Sequence, residues 1–430
     1  MYRNIINDLM HWYENDKEKT LLLNGAKGVG KTWIATDFAN AFFEDVFMVN
    51  FEEEMKLKNL FQAGTSIDPE KIEKKLTFYF DKQILPQKTL LVFDEVQLAH
   101  KGLEGIMTFA KAREDYIVCI ITSGVGNLPK QEEYSDDLHC LTLMPMTFEE
   151  FLTANKAQDL CKYIEQQKLQ VATPDVIEKM LYYLHVFYMI GGMPLIVADY
   201  MKHKDFDRID KLQNNLLLAY RAYIQTYAPK GLVDKILKIW DSIPNQMKKD
   251  NRKFMYGYVD PKARAREYGS SVKWLINTGL VRQVMRIRHG VTPLDTQVDS
   301  KSFELYHLDH GLLRAMCGYS HRDIGTDENM FEDINGALIE QFVLEELTLN
   351  KTVKKLYFWI SGATAKVDFV FEDDGEVIPV DVQSKVRRKA QSIKVFRERY
   401  DNRMAIRISL GELNFTKGIL NIPLYGLWNF

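Results

Sequence analysis

Short apolar runs alternate along the first third of the chain with stretches whose apolar residues recur at helical spacing. The runs cover residues 20–24, 46–50, 88–94, 116–122 and 140–143. Continuous apolar runs of this length are typical of parallel strands buried on both faces. Joined by helical stretches such as residues 33–43, they predict an α/β unit with a five-stranded parallel sheet and helices on both faces. A ligand of such a unit binds at the carboxyl ends of the strands.

The middle of the chain has a different pattern. Residues 232–280 have helical spacing, whereas residues 281–288 alternate like a strand. This order is typical of a winged helix-turn-helix, and four basic residues at or near its second helix would contact phosphates: Lys262, Arg264, Arg266 and Lys273. The alternative is a module that contacts only protein, with these residues on a solvated face. Residues 290–300 are the best linker candidate.

Residues 25–32 read Gly-Ala-Lys-Gly-Val-Gly-Lys-Thr, the pattern of a phosphate-binding P-loop, between a strand and a helix. Backbone amides and the helix dipole would hold phosphate oxygens there. Lys31 would reach the outer phosphates of ATP, and Thr32 would hold Mg²⁺. The candidate nucleotide-binding residues are Gly25, Gly28, Val29, Gly30, Lys31, Thr32 and Trp33.

Two adjacent acids end the apolar run at residues 88–94. Asp94 would hold Mg²⁺, and Glu95 would activate the attacking water. This pairing is typical of P-loop ATPases in which another strand lies between the P-loop strand and the acidic strand. Residues 116–122 are the candidate for that strand, and Ser123 or Thr122 at its end would sense the γ-phosphate. A plain strand terminus is the alternative.

Composition adds little to this hypothesis. The 430 residues have a net charge of −3, so nucleic-acid binding must depend on a local basic patch. None of the four cysteines lies in a C-x-x-C spacing, and no apolar run is long enough to span a membrane. Reduced cysteines and the lack of a signal-like N-terminus predict a cytoplasmic protein.

Several motifs occur in a characteristic order along nearly the whole chain. They include the P-loop, Phe93-Asp-Glu-Val-Gln97, Gly191-Gly-Met-Pro194, Leu308-Asp-His-Gly-Leu-Leu313 and Val367-Asp-Phe-Val370. The series resembles a prokaryotic family of AAA-type ATPases with a C-terminal domain of uncharacterised function. The resemblance implies an AAA+-like core, a helical lid, a winged helix and a degenerate restriction-nuclease-like fold.

In related ATPases a Gly-Gly-x-Pro turn lies against the adenine, which makes Pro194 a candidate nucleotide contact; a plain helix break is the alternative. AAA-type relatives often assemble, so a homo-oligomer is an open hypothesis. Arg113 is a candidate for an arginine that acts on a neighbouring copy, and a solvated helix arginine is the alternative.

Three acids in the last third of the chain have the spacing of a restriction-like (PD-(D/E)xK-like) metal site. Glu340 lies in a helical stretch, and Asp368 and Asp381 lie in strand-like runs. Oxygen ligands of this kind suit Mg²⁺. Gln383 stands where such nucleases carry lysine, which favours a retained but silent fold over an active nuclease. Lys385, Arg387 and Arg388 would form a basic patch with the following helix.

These observations predict four domains: residues 1–155 as the ATPase core, 156–225 as the lid, 226–295 as the winged helix and 296–430 as the nuclease-like domain. The main hypothesis is an ATP-binding, Mg²⁺-dependent ATPase that acts as a molecular switch, with DNA or a protein as partner. The alternatives are an ATP-regulated DNA nuclease and a nucleotide-binding scaffold without enzymatic activity.

Overall fold

The computed structural model of the 430-residue chain describes residues 2–61, 67–124, 131–167, 171–249, 251–323, 336–362, 365–383 and 391–429. It divides into two compact units. The first comprises Met1–Met144 with Ile276–Leu280, and the second comprises Pro145–Leu275 with Val281–Phe430. In the described part of the chain, no helix is both long and apolar enough to cross a membrane.

The first unit is an α/β fold around one parallel sheet. Its strands are β1 (Thr20–Gly25), β2 (Asp45–Asn50), β3 (Thr89–Asp94), β4 (Ile117–Ser123) and β5 (Leu138–Thr142). Its helices are α1 (Ile5–Asn15), α2 (Lys31–Phe42), α3 (Met55–Lys58), α4 (Pro69–Phe80) and α5 (Gly102–Ala112).

The strand order of this sheet is β2-β3-β4-β1-β5, and every pair is parallel. The sheet confirms the five strands expected from the sequence, with β4 between the P-loop strand β1 and the acidic strand β3. All residues of β1, β3 and β4 are buried. Because parallel strands bury both faces, their carboxyl ends are where polar side chains gather.

The second unit begins with helices. They are α6 (Phe148–Ala154), α7 (Gln158–Gln167), α8 (Pro174–Ile190), α9 (Pro194–His203), α10 (Phe206–Tyr227), α11 (Val233–Met247), α12 (Tyr256–Val259) and α13 (Ala265–Asn277), whose last two residues cluster with the first unit. Three more follow later in the chain: α14 (His310–Met316), α15 (Ala337–Leu349) and α16 (Gln391–Tyr400).

An eight-stranded mixed sheet completes the second unit, in the order β12-β13-β11-β10-β9-β8-β6-β7. Its strands are β6 (Val281–Ile287), β7 (Val298–His307), β8 (Tyr357–Ile360), β9 (Lys366–Asp373), β10 (Glu376–Val382), β11 (Ala405–Ser409), β12 (Asn414–Thr416) and β13 (Ile419–Pro423). A 3₁₀ helix, Leu424–Asn429, ends the described chain.

Strands on both sides of one expected domain boundary belong to this sheet. Strand β6, expected to be the wing of a winged helix, pairs with β7 and also runs parallel to β8. The boundary expected after residue 295 and the linker candidate at residues 290–300 thus lie at the connection between two strands that pair with each other. Sequence alternation identified β6 as a strand, but the partners of a strand depend on residues far along the chain.

A buried turn joins several elements of the second unit. Helix α8 ends at Gly191, whose φ is +76°, and a Cβ at this position would lie 2.3 Å from Asp309 Oδ1. Asp309 Oδ2 accepts a hydrogen bond from the Gly192 amide at 2.6 Å, and Oδ1 accepts one from the Leu312 amide at 2.9 Å. One carboxylate thus fixes the turn and caps α14.

The carbonyls that end α8 are satisfied by side chains. His310 Nε2 lies 3.0 Å from Phe187 O, Arg314 Nε donates to Met189 O, and Gln213 Nε2 donates to Met189 O and Ile190 O. Terminal helix carbonyls lack partners within the helix, so a buried end needs donors of this kind. The Gly-Gly-Met-Pro sequence is therefore a structural element of this unit.

His310 is a buried cation. Its Nδ1 lies 2.7 Å from Glu345 Oε2 and its Nε2 faces a carbonyl, so both nitrogens donate. Burial alone would lower the pKa of His310, but the Glu345 carboxylate outweighs burial and raises it to about 9. Asp309, His310 and Glu345 lie close enough to suggest a metal site. Because the ring nitrogens both carry protons, the group does not fit a metal.

We expect His310→Gln to destabilise the protein most at low pH. The folded pKa of His310 is raised above the ordinary 6.5, so its stabilising contribution is complete below pH 6.5 and is lost as the pH rises through about 9. The difference in melting temperature between wild type and His310→Gln should shrink over that interval. His203→Gln, at an exposed histidine ending α9, is the control. A difference that is constant from pH 6 to 10 would contradict the buried imidazolium.

Candidate nucleotide site

The P-loop lies between β1 and α2 and requires glycine at two positions. Gly25 has φ +153°, and a Cβ there would lie 2.4 Å from Leu143 O. Gly30 precedes α2 with φ +96°. Side chains rarely adopt this left-handed region, so glycine lets the backbone pass close to its neighbours and then enter the helix.

Lys31 places a buried ammonium at the ends of the strands. Its Nζ donates to Gly25 O at 3.0 Å, Ala26 O at 2.9 Å and Ser123 Oγ at 3.3 Å. Burial lowers the pKa of Lys31 to about 8, against the opposing effect of Glu95 and Asp94. A desolvated cation at a helix N-terminus is an environment that suits an anionic ligand.

Thr32 and Asp94 meet across the space between α2 and β3. Thr32 Oγ1 donates to Asp94 Oδ2 at 2.6 Å, and Asp94 Oδ1 accepts from the Glu95 amide at 2.8 Å. Burial raises the pKa of Asp94, although the Thr32 hydrogen bond opposes this effect. A hydroxyl and a carboxylate side by side are oxygen ligands of the kind that Mg²⁺ prefers.

Glu95 is held from both sides. Its backbone has φ +56° and ψ +40°, a left-handed conformation that is uncommon for a residue with a side chain. Ser123 Oγ donates to Glu95 Oε1 at 2.6 Å, and Gln97 Nε2 donates to Oε2. Ser123 thus links Glu95 to Lys31, and the end of β4 lies beside both of these candidate residues.

Gln97 is a residue whose role the sequence did not reveal. Its Oε1 accepts from Thr122 Oγ1 at 2.9 Å and from the Ser123 amide at 3.3 Å, while its Nε2 donates to Glu95. The side-chain amide of Gln97 therefore links Glu95, which directly follows β3, to the end of β4. Gln97 follows Glu95 by two residues, but only the strand order shows that it faces Ser123.

Arg3 is a second residue that sequence reasoning missed. It is 4 % exposed, and its guanidinium donates to Val29 O at 3.1 Å and to Met144 O at 2.6 Å. It thus fixes the P-loop to the segment after β5. No local pattern around residue 3 signals this role, since both acceptors are backbone carbonyls distant in sequence.

The remaining candidates have varied surroundings. Val29 is buried, whereas Trp33 is 46 % exposed, so its ring is available to a ligand. Pro194 is the first residue of α9 in the second unit. Arg113 Nε donates to Glu73 Oε2 at 2.7 Å, which gives this arginine a partner within its own unit.

The three C-terminal acids lie in a buried ionic network. Glu340 on α15 contacts Arg252, and Lys366 Nζ lies 3.4 Å from Glu340 Oε2, 3.5 Å from Asp368 Oδ1 and 3.1 Å from Glu304 Oε1. Burial favours a raised pKa for Glu340, but Arg252 and Lys366 outweigh it and lower the pKa. Asp381 instead accepts from Gln383 Nε2 at 2.6 Å.

This network does not fit the expected Mg²⁺ site. Burial and the Glu340 charge raise the pKa of Asp368 well above its ordinary value, and its Oδ2 accepts a hydrogen bond from the Val382 amide at 2.9 Å. The two cations already neutralise Glu340. Across the described residues, Glu340, Asp368 and Asp381 do not form a group with ligand atoms within 4.8 Å of one another. The basic residues Lys385, Arg387 and Arg388 lie outside the described residues.

Family models match three parts of the chain. Residues 17–152 match an AAA domain, residues 182–323 match the domain of unknown function DUF8612, and residues 335–426 match the domain of unknown function DUF4143. The AAA match contains the P-loop, Asp94 and Glu95. Together, the matches and the site support an ATP-binding, AAA-type ATPase with a DUF4143 domain at its C-terminal end.

Solved structures resemble the chain only distantly. The Thermotoga maritima RuvB Holliday junction branch migration motor is 14 % identical with a TM-score of 0.31, over 65 % of this chain and 88 % of that one. C. elegans PCH-2 is 12 % identical with a TM-score of 0.30, over 48 % of this chain and 64 % of that one. Drosophila ORC bound to DNA is 13 % identical with a TM-score of 0.27, over 70 % and 92 %. These scores are too low to support an argument about this chain. No curated protein matches the sequence.

We expect Lys366→Met to destabilise the protein by about 3–5 kcal/mol, because it leaves buried carboxyl groups without their shared cation. Lys394→Met, which removes an exposed lysine paired with Glu398 at 3.7 Å, should cost at most about 0.5 kcal/mol. Thermal unfolding of the two variants beside wild type measures the contrast. Equal effects would show that Lys366 does not compensate buried charge.

Proposed function

We propose that the protein hydrolyses ATP in a Mg²⁺-dependent reaction at the end of the parallel sheet. The observation that carries this proposal is the convergence of five side chains, which come from the start of α2, from the end of β3 with the residue after it, and from the end of β4. Lys31 contacts Ser123, Ser123 contacts Glu95, and Thr32 contacts Asp94. Each group has the chemistry that phosphoryl transfer to water requires at that place.

The residues fit a bound metal ion. Thr32 and Asp94 would hold Mg²⁺, which when bound neutralises phosphate charge and orients the phosphates. Their oxygens lie 2.6 Å apart, so two ligands are already adjacent. The glycines of the loop allow backbone amides to approach phosphate oxygens without steric conflict.

Lys31 and Glu95 would perform the chemistry. The Lys31 ammonium stabilises negative charge on the transferred phosphoryl group. The Glu95 carboxylate accepts a proton from the attacking water and orients it. Gln97 and Ser123 hold the carboxylate while it does so, because each donates to a different oxygen of Glu95.

We further propose that nucleotide binding acts as a switch for the rest of the chain. In this proposal the Gly191–Pro194 turn responds to the adenine, and the modules that follow change their orientation. DNA is one candidate partner, supported by the exposure of Lys262, Arg264, Arg266 and Lys273 at or near α13. The alternative is a protein partner, with nucleotide binding serving a scaffold.

We expect Lys31→Ala to lose ATP binding and Glu95→Gln to retain it. Removing the ammonium eliminates the main electrostatic contact with phosphate, whereas the amide cannot accept a proton and should reduce turnover by about 10²–10⁴-fold. Steady-state hydrolysis and equilibrium binding of a fluorescent ATP analogue, each with and without duplex DNA, measure these effects. Normal turnover by Glu95→Gln would refute the assignment. Stimulation by DNA would identify the partner, and tight binding without turnover in wild type would favour a scaffold.

We expect Gln97→Leu to lower kcat for ATP by about tenfold or more while leaving KM nearly unchanged, since it frees the Glu95 carboxylate without touching the P-loop. Gln97→Glu should be more severe, because it places a second carboxylate against Glu95. Asn50→Leu is the control: Asn50 Oδ1 accepts from the Glu52 amide at 2.8 Å and so caps a local turn. A parallel rise in KM would indicate a role in binding instead.

A further inference from the structure

The second unit contains an apolar cavity of about 660 Å³ that the proposed ATPase does not use. One wall is the mixed sheet, represented by Phe371, Ile378, Ile406 and Leu420, and the opposite side is formed by α7 and the final 3₁₀ helix. The volume falls within the ~300–1,000 Å³ typical of ligand sites.

The sheet wall is continuous because its apolar side chains are cross-strand neighbours. Phe371 on β9 lies opposite Ile378 on β10, and Ile406 on β11 lies opposite Leu420 on β13. Side chains opposite each other in neighbouring strands point to the same face. The face thus presents an apolar surface to the cavity.

Four carboxylates border this apolar surface: Glu165, Asp373, Asp374 and Glu376. Among the residues that the structure describes, no basic side chain lines the cavity, and none of the four carboxylates has an ion-pair partner. Elsewhere in the same unit, buried carboxylates such as Glu340 are matched by cations. The rim of the cavity is therefore a concentration of uncompensated negative charge.

Two of these acids face each other in the sheet itself. Asp373 on β9 is opposite Glu376 on β10, joined through a turn in which Asp374 has φ +44° and Gly375 has φ +78°. Like charges directly opposite in an antiparallel pair are destabilising. The pair costs the sheet stability, and a cationic ligand at the rim would relieve the repulsion.

We propose that this cavity binds a short segment of a partner protein that combines apolar side chains with lysine or arginine. The apolar side chains would enter against Phe371 and Leu420, and the cations would lie against Asp373, Asp374 and Glu376. Charge complementarity selects this occupant, since the acids repel nucleic acid and anionic lipid, and an uncharged ligand gains nothing from them. The proposal is independent of ATP hydrolysis.

The proposal is tested by selecting, from a library of displayed random peptides, those that bind to the purified full-length protein. We expect the selected sequences to be enriched in Lys or Arg together with Leu, Ile or Phe. A fluorescein-labelled consensus peptide then reports affinity by anisotropy. The charge-reversed variant Asp373→Lys/Glu376→Lys should weaken binding at least about tenfold. Asp8→Lys/Glu14→Lys, which reverses two exposed acids on α1, should bind like wild type.

A second variant blocks the apolar part without altering charge. A Cβ at Gly426 would meet only Pro423 Cγ at 3.6 Å and Ile164 Cγ2 at 3.8 Å, which are ordinary contacts. Its φ of −125° suits any residue. Gly426→Leu should therefore fold, fill part of the cavity and abolish peptide binding.

The stability of the rim gives an independent measurement. Glu376→Gln removes the cross-strand repulsion, so we expect its melting temperature to rise while its affinity for the peptide falls. The proposal is overturned if no peptide is enriched, if selected peptides bind both cavity variants normally, or if Glu376→Gln lowers the melting temperature. If a peptide of residues 384–390 of this chain displaced the consensus peptide, the occupant would be a segment of the chain itself. That result would also overturn the proposal.

Discussion

The nucleotide site depends on compensation of one buried cation. Lys31 is placed among the carboxyl ends of parallel strands, where water is excluded and an unpaired ammonium would be costly. Two P-loop carbonyls and Ser123 Oγ compensate it. Ser123 in turn holds Glu95, and Gln97 holds both. Removing any member would leave a buried polar group without its partner, so the position of the Glu95 carboxylate and the stability of the loop depend on the same bonds.

In the second unit, buried cations are likewise compensated by neighbouring acids and carbonyls. His310 is charged because it has Glu345 on one side and a helix carbonyl on the other. Lys366 is placed among Glu304, Glu340 and Asp368. In these clusters Glu345 and Glu340 are paired with protein cations, while Asp381 accepts a hydrogen bond from the neutral Gln383 amide. Such networks hold elements of the unit in register.

The candidate site of the first unit could be proposed from the sequence because its signals are local. Residues 25–32 contain the loop glycines and their Lys-Thr pair, and Asp94 and Glu95 directly follow an apolar run. The sequence did not indicate roles for Gln97 and Arg3, because only the fold brings their partners near. Gln97 accepts from Ser123, and Arg3 donates to Val29 and Met144. The same reason applies to the partners of β6: alternation shows that β6 is a strand, but not that β8 is its neighbour.

One pair of acids, at the rim of the cavity in the second unit, lacks a compensating cation among the described residues. The buried cations Lys31, His310 and Lys366 have acceptors or acids beside them, whereas the half-buried Asp373 and the exposed Glu376 face each other across a hairpin with no cation beside them in the described chain. Solvent screening makes this repulsion tolerable but does not remove it. We expect replacement of one of the two acids with a neutral residue to stabilise the sheet, in which case a contribution to folding stability does not explain the pair. A cationic ligand at the cavity rim does explain it, since the repulsion that weakens the free protein becomes attraction in the complex.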